Sequence, residues 1–415
     1  MGKKEKAPCL RFKDTNGKDY PAWEQRKLGE LAATFGYGLN AAAKSFDGRH
    51  KYIRITDIDE STRRFLCSSL TSPDIDFEEA APYRLAEGDV LFARTGASVG
   101  KSYRYVRTDG EVYFAGFLIR FRFKDKEAAE FVFQNSLTAK FQNFIKTSSQ
   151  RSGQPGINAQ QFSGYQIAVP NSEERERIGS FFSRLDTAIT LHQRKLETLK
   201  KLKRTLLQKM FPKKGQLKPE LRFPGFTNDW EQRKLEELAS KFTGGGTPNT
   251  SNPNYWNGEI PWIQSSDLKE DDVLSLTVKK HISQEGLKNS ATKIVPKNSL
   301  VIVTRVGVGK LVVNTQEIAT SQDFLSLSGI KGDSRFLAYS LYSLLKKITR
   351  RVQGTSIKGI TKTDFLKETI LVPALEEQEK ISSCMVEVDK LITLHQRKLE
   401  TYKKLKKSLF QKMFI

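Results

Sequence analysis

The sequence predicts an α+β protein: two similar mixed domains, each followed by a long basic helix. Three observations carry this. Residues 191–211 (LHQRKLETLKKLKRTLLQKMF) and 394–414 (LHQRKLETYKKLKKSLFQKMF) are identical at 17 of 21 positions, at a shift of 203. WEQRKLGELA from Trp23 returns as WEQRKLEELA from Trp230, at a shift of 207. Between these echoes, short β-like runs and helical stretches follow one another in the same order in both halves. One unit is thus written twice, and its globular parts have diverged more than its helices.

In the first half, Lys51–Thr56 (KYIRIT), Val90–Ala93 (VLFA) and Gly116–Phe123 (GFLIRFRF) are expected as strands, followed by a helix over Ala128–Ile145 and a closing strand in YQIAVP. The second half repeats the order with IPWIQSSDL, LVIVT, a helix near Phe336–Ile348 and ILVP. Each half then enters a helix with apolar residues near a 3.5-residue period. These are Ile178, Phe182, Leu185, Ile189, Leu196, Leu199, Leu206 and Met210, then Ile381, Met385, Val388, Ile392, Leu399, Tyr402, Leu409 and Met413. His192 and His395 interrupt the two seams at matching places. Glu173, Glu174 and Glu176 suit the positive start of the first helix, lysines its end, and Pro212 stops it. A helix with such a stripe cannot bury it alone, so the two copies are expected to pack on each other, in parallel or antiparallel. The boundaries expected are 1–170 and 216–373 for the domains, 171–215 and 374–415 for the helices and linker.

The net charge of +22 points to a polyanion. Residues 191–214 carry nine Lys/Arg against one Glu, and 394–415 seven against one, so the helices hold +14 of the excess. Three dispersed cysteines form no Cys-x-x-Cys, which suggests a reducing compartment without structural zinc. No signal-like segment and no run of 18 apolar residues occurs, so a cytoplasmic protein without a membrane span is expected.

Gly96-Ala97-Ser98-Val99-Gly100-Lys101-Ser102 resembles a phosphate-cradling loop but has three residues between its glycines where four are needed. Both halves keep Arg-x-Gly followed by Val-Gly-Lys: Arg94, Gly96, Ser98, Gly100 and Lys101, then Arg305, Gly307, Gly309 and Lys310. Glycines permit close backbone approach to a phosphate chain, and Arg and Lys supply charge-assisted contacts. A second candidate surface is Arg54 and Thr56, alternating with Ile53 and Ile55, mirrored by Gln264 and Ser265; Arg and Gln suit guanine and adenine edges. Asp57 and Asp267 read as loop braces. A third comprises Arg151 and Gln154, with Ser356 and Lys358, in polar loops before the closing strands. Four dispersed histidines, no clustered carboxylates and no Asn/Asp-Pro-Pro-Tyr/Phe stretch give no catalytic or metal-ligating constellation.

With WEQRKL(G/E)ELA, the Arg-x-Gly and Val-Gly-Lys loops and the near-identical helices, the chain resembles the specificity subunits of type I restriction–modification systems over nearly its whole length. The resemblance implies two target-recognition domains, each reading one half of a bipartite site in double-stranded DNA, with the helices packed as an antiparallel coiled coil. It implies two modification (methyltransferase) subunits using S-adenosylmethionine on adenine, and two restriction (translocase/nuclease) subunits using ATP and Mg2+, in the bacterial cytoplasm. Cofactors would then belong to the partners and none to this non-catalytic chain. The paired helices would act as a ruler of about one DNA turn, about 34 Å. A stand-alone DNA-binding regulator or a coiled-coil scaffold without sequence preference are the competing readings.

Overall fold

A computed structural model describes residues 7–150, 154–353 and 359–414. The chain divides into two units, residues 1–194 with 396–415 and residues 195–395.

The first unit is built on a four-stranded antiparallel sheet in the order Ala32–Tyr37, Leu118–Phe123, Asp89–Ala93, Ser102–Arg104. Its central run DVLFA is buried throughout because both faces are covered. Val90 and Phe92 join a core with Trp23, Phe131, Phe141, Phe162 and Phe182. Leu91 and Ala93 turn to a second core with Ile53, Tyr103 and Phe114. Strand Lys51–Ile53 runs parallel to Val112–Phe114 on that far side. The EQRK of the first echo, Glu24–Lys27, pairs antiparallel with the closing strand Gln166–Val169.

Two expectations for this half are corrected. The run 51–56 is not one strand: it stops at Ile53, and Ile55–Asp57 forms a 3-10 turn. The Asp57 carboxylate accepts from the Arg54 backbone N–H at 3.0 Å, which bends the chain away from the sheet. The helix over 128–145 is two helices, Lys126–Asn135 and Ala139–Ser148. Thr138 caps the second by accepting from Phe141 N–H, so a new helix begins where the first has ended.

The second unit repeats the plan. Its antiparallel sheet runs Ala239–Gly244, Phe324–Ile330, Leu300–Val303, Leu311–Val313. Strand Ile260–Ile263 lies parallel to Ile318–Thr320, and Glu231–Lys234 pairs with Thr369–Val372. Here the helix after the sheet, Ser334–Gln353, is unbroken.

The long helices are Ser172–Lys209 and Leu375–Met413. Within the first unit, Phe182 stacks on Phe410 at 4.5 Å, Asp186 pairs with Lys406 at 2.5 Å and His192 lies over Tyr402 at 5.4 Å. Numbers rise along one segment as they fall along the other, so the segments are antiparallel. Within the second unit, Lys203 pairs with Asp389 at 2.7 Å, while Leu206 and Met210 share a core with Ile381 and Met385. Gln134 and Tyr339 hydrogen-bond Asp186 and Asp389 respectively, at 2.9 and 2.7 Å. Each unit therefore closes its helix pair with an Asp–Lys bridge at the same repeat position.

Candidate nucleic-acid interface

The Arg-x-Gly and Val-Gly-Lys segments form the hairpin turns between the third and fourth strands of each sheet. In the first unit, Ala93 N–H donates to Lys101 O and Gly100 N–H to Ala93 O; in the second, Val303 N–H donates to Lys310 O. Gly100 has φ +81°, and a Cβ there would come within 2.6 Å of the Ile145 side chain. Gly309 has φ +110°, with Thr349 Oγ1 2.7 Å from the same imagined atom. The glycine at this point lets the hairpin rest on the helix beneath it.

Backbone bonding corrects the correspondence of the arginines. Arg94 N–H donates to Phe117 O, and Arg94 O accepts from Ile157 N–H. In the second unit the residue with both roles is Thr304, bonded to Asp323 O and Ile360 N–H. Lys101 and Lys310 are equivalent, whereas Arg94 matches Thr304 and Arg305 lies one place further on. The loop is one residue shorter in the second unit, and aligning the two arginines conceals where the deletion falls.

Of the other candidates, Gln154 and Ser265 lie against these turns. In the first unit Gly96 N–H donates to Pro155 O, and Gln154 Nε2 lies 3.2 Å from where a Gly96 Cβ would be. In the second, Ser265 Cβ lies 3.7 Å from where a Gly307 Cβ would be, and a Cβ on Gly359 would lie 3.3 Å from Arg305 Cα. Arg151, Ser356 and Lys358 lie outside the described residues.

Charge is unevenly available there. Lys101 is half-buried, its ammonium 2.7 Å from Glu60 and 3.1 Å from Ile58 O. That hydrogen bond is the main cause of the lowering of the Glu60 pKa. Arg54 grips both Asp57 oxygens, at 2.8 and 3.1 Å, which raises the guanidinium pKa further. Thr56 is exposed, its hydroxyl 3.3 Å from Asp57. Gln264 repeats the cap through its backbone N–H to Asp267, and its side chain donates to Ser266 at 3.0 Å. Ser98 O accepts from Lys101 N–H inside the turn.

Arg94 differs. Its guanidinium lies 4.9 Å from the centroid of the Tyr37 ring and 6.0 Å from that of Phe117, with no carboxylate in reach among the described residues. Arg305 and the neighbouring Val306 are exposed at the second turn. Lys310 is half-buried. Sequence reasoning missed the exposed aromatics Tyr37 and Phe117. In the second unit the run Asn254-Tyr255-Trp256 reads from sequence as a contact or turn segment, but sequence reasoning missed Lys280, set over Trp256 and Trp262 at 5.4 and 5.8 Å. The signal for Tyr37 was available: an aromatic between glycines, in FGYG.

Each unit thus offers a turn with polar and cationic side chains on a shared backbone plan, joined in the first unit by two exposed aromatic rings, the arrangement of a duplicated recognition protein. A sequence model described as "Type I restriction modification DNA specificity domain" matches residues 21–201 and again 227–404, and the chain belongs to this family. The putative type I restriction enzyme MjaX specificity subunit of Methanocaldococcus jannaschii is 26% identical over 418 residues, covering 96% of this chain and 94% of that protein. The EcoR124I/EcoR124II specificity subunit of Escherichia coli is 28% identical over 197 residues, covering 42% of this chain and 47% of the relative. Among solved structures, the S subunit of the type I restriction–modification system from M. genitalium superposes with a TM-score of 0.67 at 13% identity, covering 99% of each chain, which shows the shared fold.

Proposed function

We propose that this chain is the DNA-reading subunit of a type I restriction–modification assembly, with residues 1–170 and 216–373 each reading one half of a bipartite site. The observation that carries the reading is the matched pair of turns presenting different side chains, Arg94 with Gln154 in one and Arg305 and Lys310 with Ser265 in the other, each accompanied by a matched capped bend that carries Arg54 and Thr56 or Gln264. Two readers on one scaffold are what an asymmetric split site requires. Gly96, Gly100, Gly307 and Gly309 bring backbone close to the DNA, and Ser98 and Lys101 line the first turn. Arg151, Ser356 and Lys358 belong to the same proposed contact set by their sequence positions alone.

The helices 171–215 and 374–415 set the gap between half-sites and dock the partners. Leucines at matched repeat positions stand exposed on them, Leu191 and Leu405 in the first unit and Leu202 and Leu394 in the second. Such apolar side chains suit covering by partner helices. Those partners are two modification subunits and two restriction subunits. Adenine methylation with S-adenosylmethionine, and ATP- and Mg2+-dependent translocation and cleavage, fall to them, and this chain contributes recognition without a reaction of its own. Among the described residues no helix is long and apolar enough to cross a membrane, and the assembly would act on DNA in the bacterial cytoplasm.

The test is co-expression with a modification subunit and mapping of methylated adenines by single-molecule sequencing. One split motif with a fixed gap is expected, and exchanging residues 24–170 should change one side only. A stable complex that methylates no split motif would overturn the reading, as would binding without sequence preference.

A further inference from the structure

We propose that Tyr37 and Phe117 are positioning residues that hold the Arg94 guanidinium for reading a guanine in the half-site of the first unit. The inference rests on the proposed function and adds a base and its readers. Of the three cationic side chains named in the candidate surface of this unit and described here, two are already engaged. Arg54 is held by Asp57, and Lys101 by Glu60 and the Ile58 carbonyl. Arg94 alone of these is held by ring faces instead of carboxylates.

The distinction matters for recognition. A carboxylate occupies the edge N–H groups of a guanidinium, while an aromatic ring stacks on its face and leaves that edge free. The free edge matches the O6 and N7 acceptors that guanine presents in the major groove. Holding the side chain beforehand reduces the ordering cost of binding. The Tyr37 ring is anchored through its hydroxyl, and the Phe117 backbone is tied to that of Arg94. The Tyr37 hydroxyl accepts from Ala159 N–H at 3.2 Å, and the Phe117 carbonyl accepts from Arg94 N–H at 3.0 Å. Yet the rings stay accessible, Phe117 60% and Tyr37 44% exposed, which burial in the core does not explain.

The second unit lacks the arrangement. By strand register, Tyr37 corresponds to Gly244, Phe117 to Asp323 and Arg94 to Thr304. The scaffold therefore does not require the clamp, and the reader belongs to one half-site.

The experiment uses the co-expressed complex and the methylation map. In the wild type, the side of the motif controlled by residues 24–170 should contain a G·C pair. Arg94→Ala should relax discrimination at that pair by at least about tenfold while sparing the other half-site. Phe117→Leu, at an exposed position, should relax the same pair to a smaller degree, with an unchanged thermal unfolding midpoint. In the Arg94→Ala background, adding Phe117→Leu should change nothing further, because the ring acts through the arginine. The inference is overturned if Arg94→Ala leaves every position intact or relaxes a pair other than G·C. It is overturned equally if Phe117→Leu has the same effect with and without Arg94. A wild-type complex that methylates no split motif removes the proposed function and this inference together, a result distinguishable from the others.

Discussion

At the level of single residues, position in the chain says little about which charges are available. Lys101 and Arg94 flank one turn, yet one ammonium is spent on Glu60 and the other cation faces two rings. The sequence could not disclose this, because Glu60 lies 41 positions from Lys101 and their meeting depends on the bend after Ile53. Phe117 illustrates the opposite limit: within FAGFLIRF it reads as strand core, and only the turn before Leu118 leaves it exposed. The glycines were legible, since a Val-Gly-Lys turn in both halves needs a residue without Cβ. Gly100→Ala should cost about 2–4 kcal/mol, combining left-handed backbone strain with a clash against Ile145. Gly48→Ala, also at positive φ but with open space around it, should cost only about 1–2 kcal/mol. Denaturant unfolding of the two variants checks the difference; equal losses would mean that the turn does not rest on the helix.

At the level of elements, helices and buried strands were the most readable features, because their periodicity reports burial directly. All eight residues of the first stripe are buried or half-buried, as are those of the second. The boundaries that failed, at Ile53 and at Ser136–Thr138, are set by side-chain caps overriding a continuous apolar pattern. A quieter repeat escaped notice. Leu10-Arg11-Phe12 and Leu221-Arg222-Phe223 occupy equivalent places, with Leu10 N–H bonded to Lys412 O and Leu221 N–H to Lys209 O. Arg11 clasps buried Glu174 at 2.9 and 2.6 Å, and Arg222 clasps Glu377 at 2.7 Å twice. Glu174 also accepts from the Trp23 indole at 3.0 Å, whereas the Trp230 indole N–H finds no partner among the described residues. Glu174→Gln and Glu377→Gln should each cost about 3–5 kcal/mol by leaving an arginine half-buried without its counter-charge. The loss should be larger at Glu174 by about 1 kcal/mol if the indole bond is weakened as well. Hydrogen exchange resolved by unit measures both, and an unchanged first unit would refute the clasp's role.

At the level of the whole molecule, the duplication and the number of domains were evident, but the allotment of residues to units was not. Residues 396–415 belong to the unit that starts the chain, where Phe414 packs edge-on to Trp23 at 6.4 Å and Phe410 stacks on Phe182. Repeat symmetry alone suggests two consecutive blocks, because linear order hides which core receives a helix's last turns. Ending the chain at His395 should therefore strip protection from the first unit while sparing residues 195–395. Limited proteolysis with peptide mapping tests it; preferential digestion of the second unit would contradict the assignment.

The ownership of those last twenty residues also has a consequence for synthesis. The second unit holds all its own residues once position 395 has been translated. The first, although begun much earlier, must wait for residue 414 before Trp23, Phe131 and Phe182 can be covered. On the ribosome the order of completion is reversed from the order of translation. The earlier-made half waits with an open apolar face, and its protection from aggregation in that interval depends on chaperones or on speed.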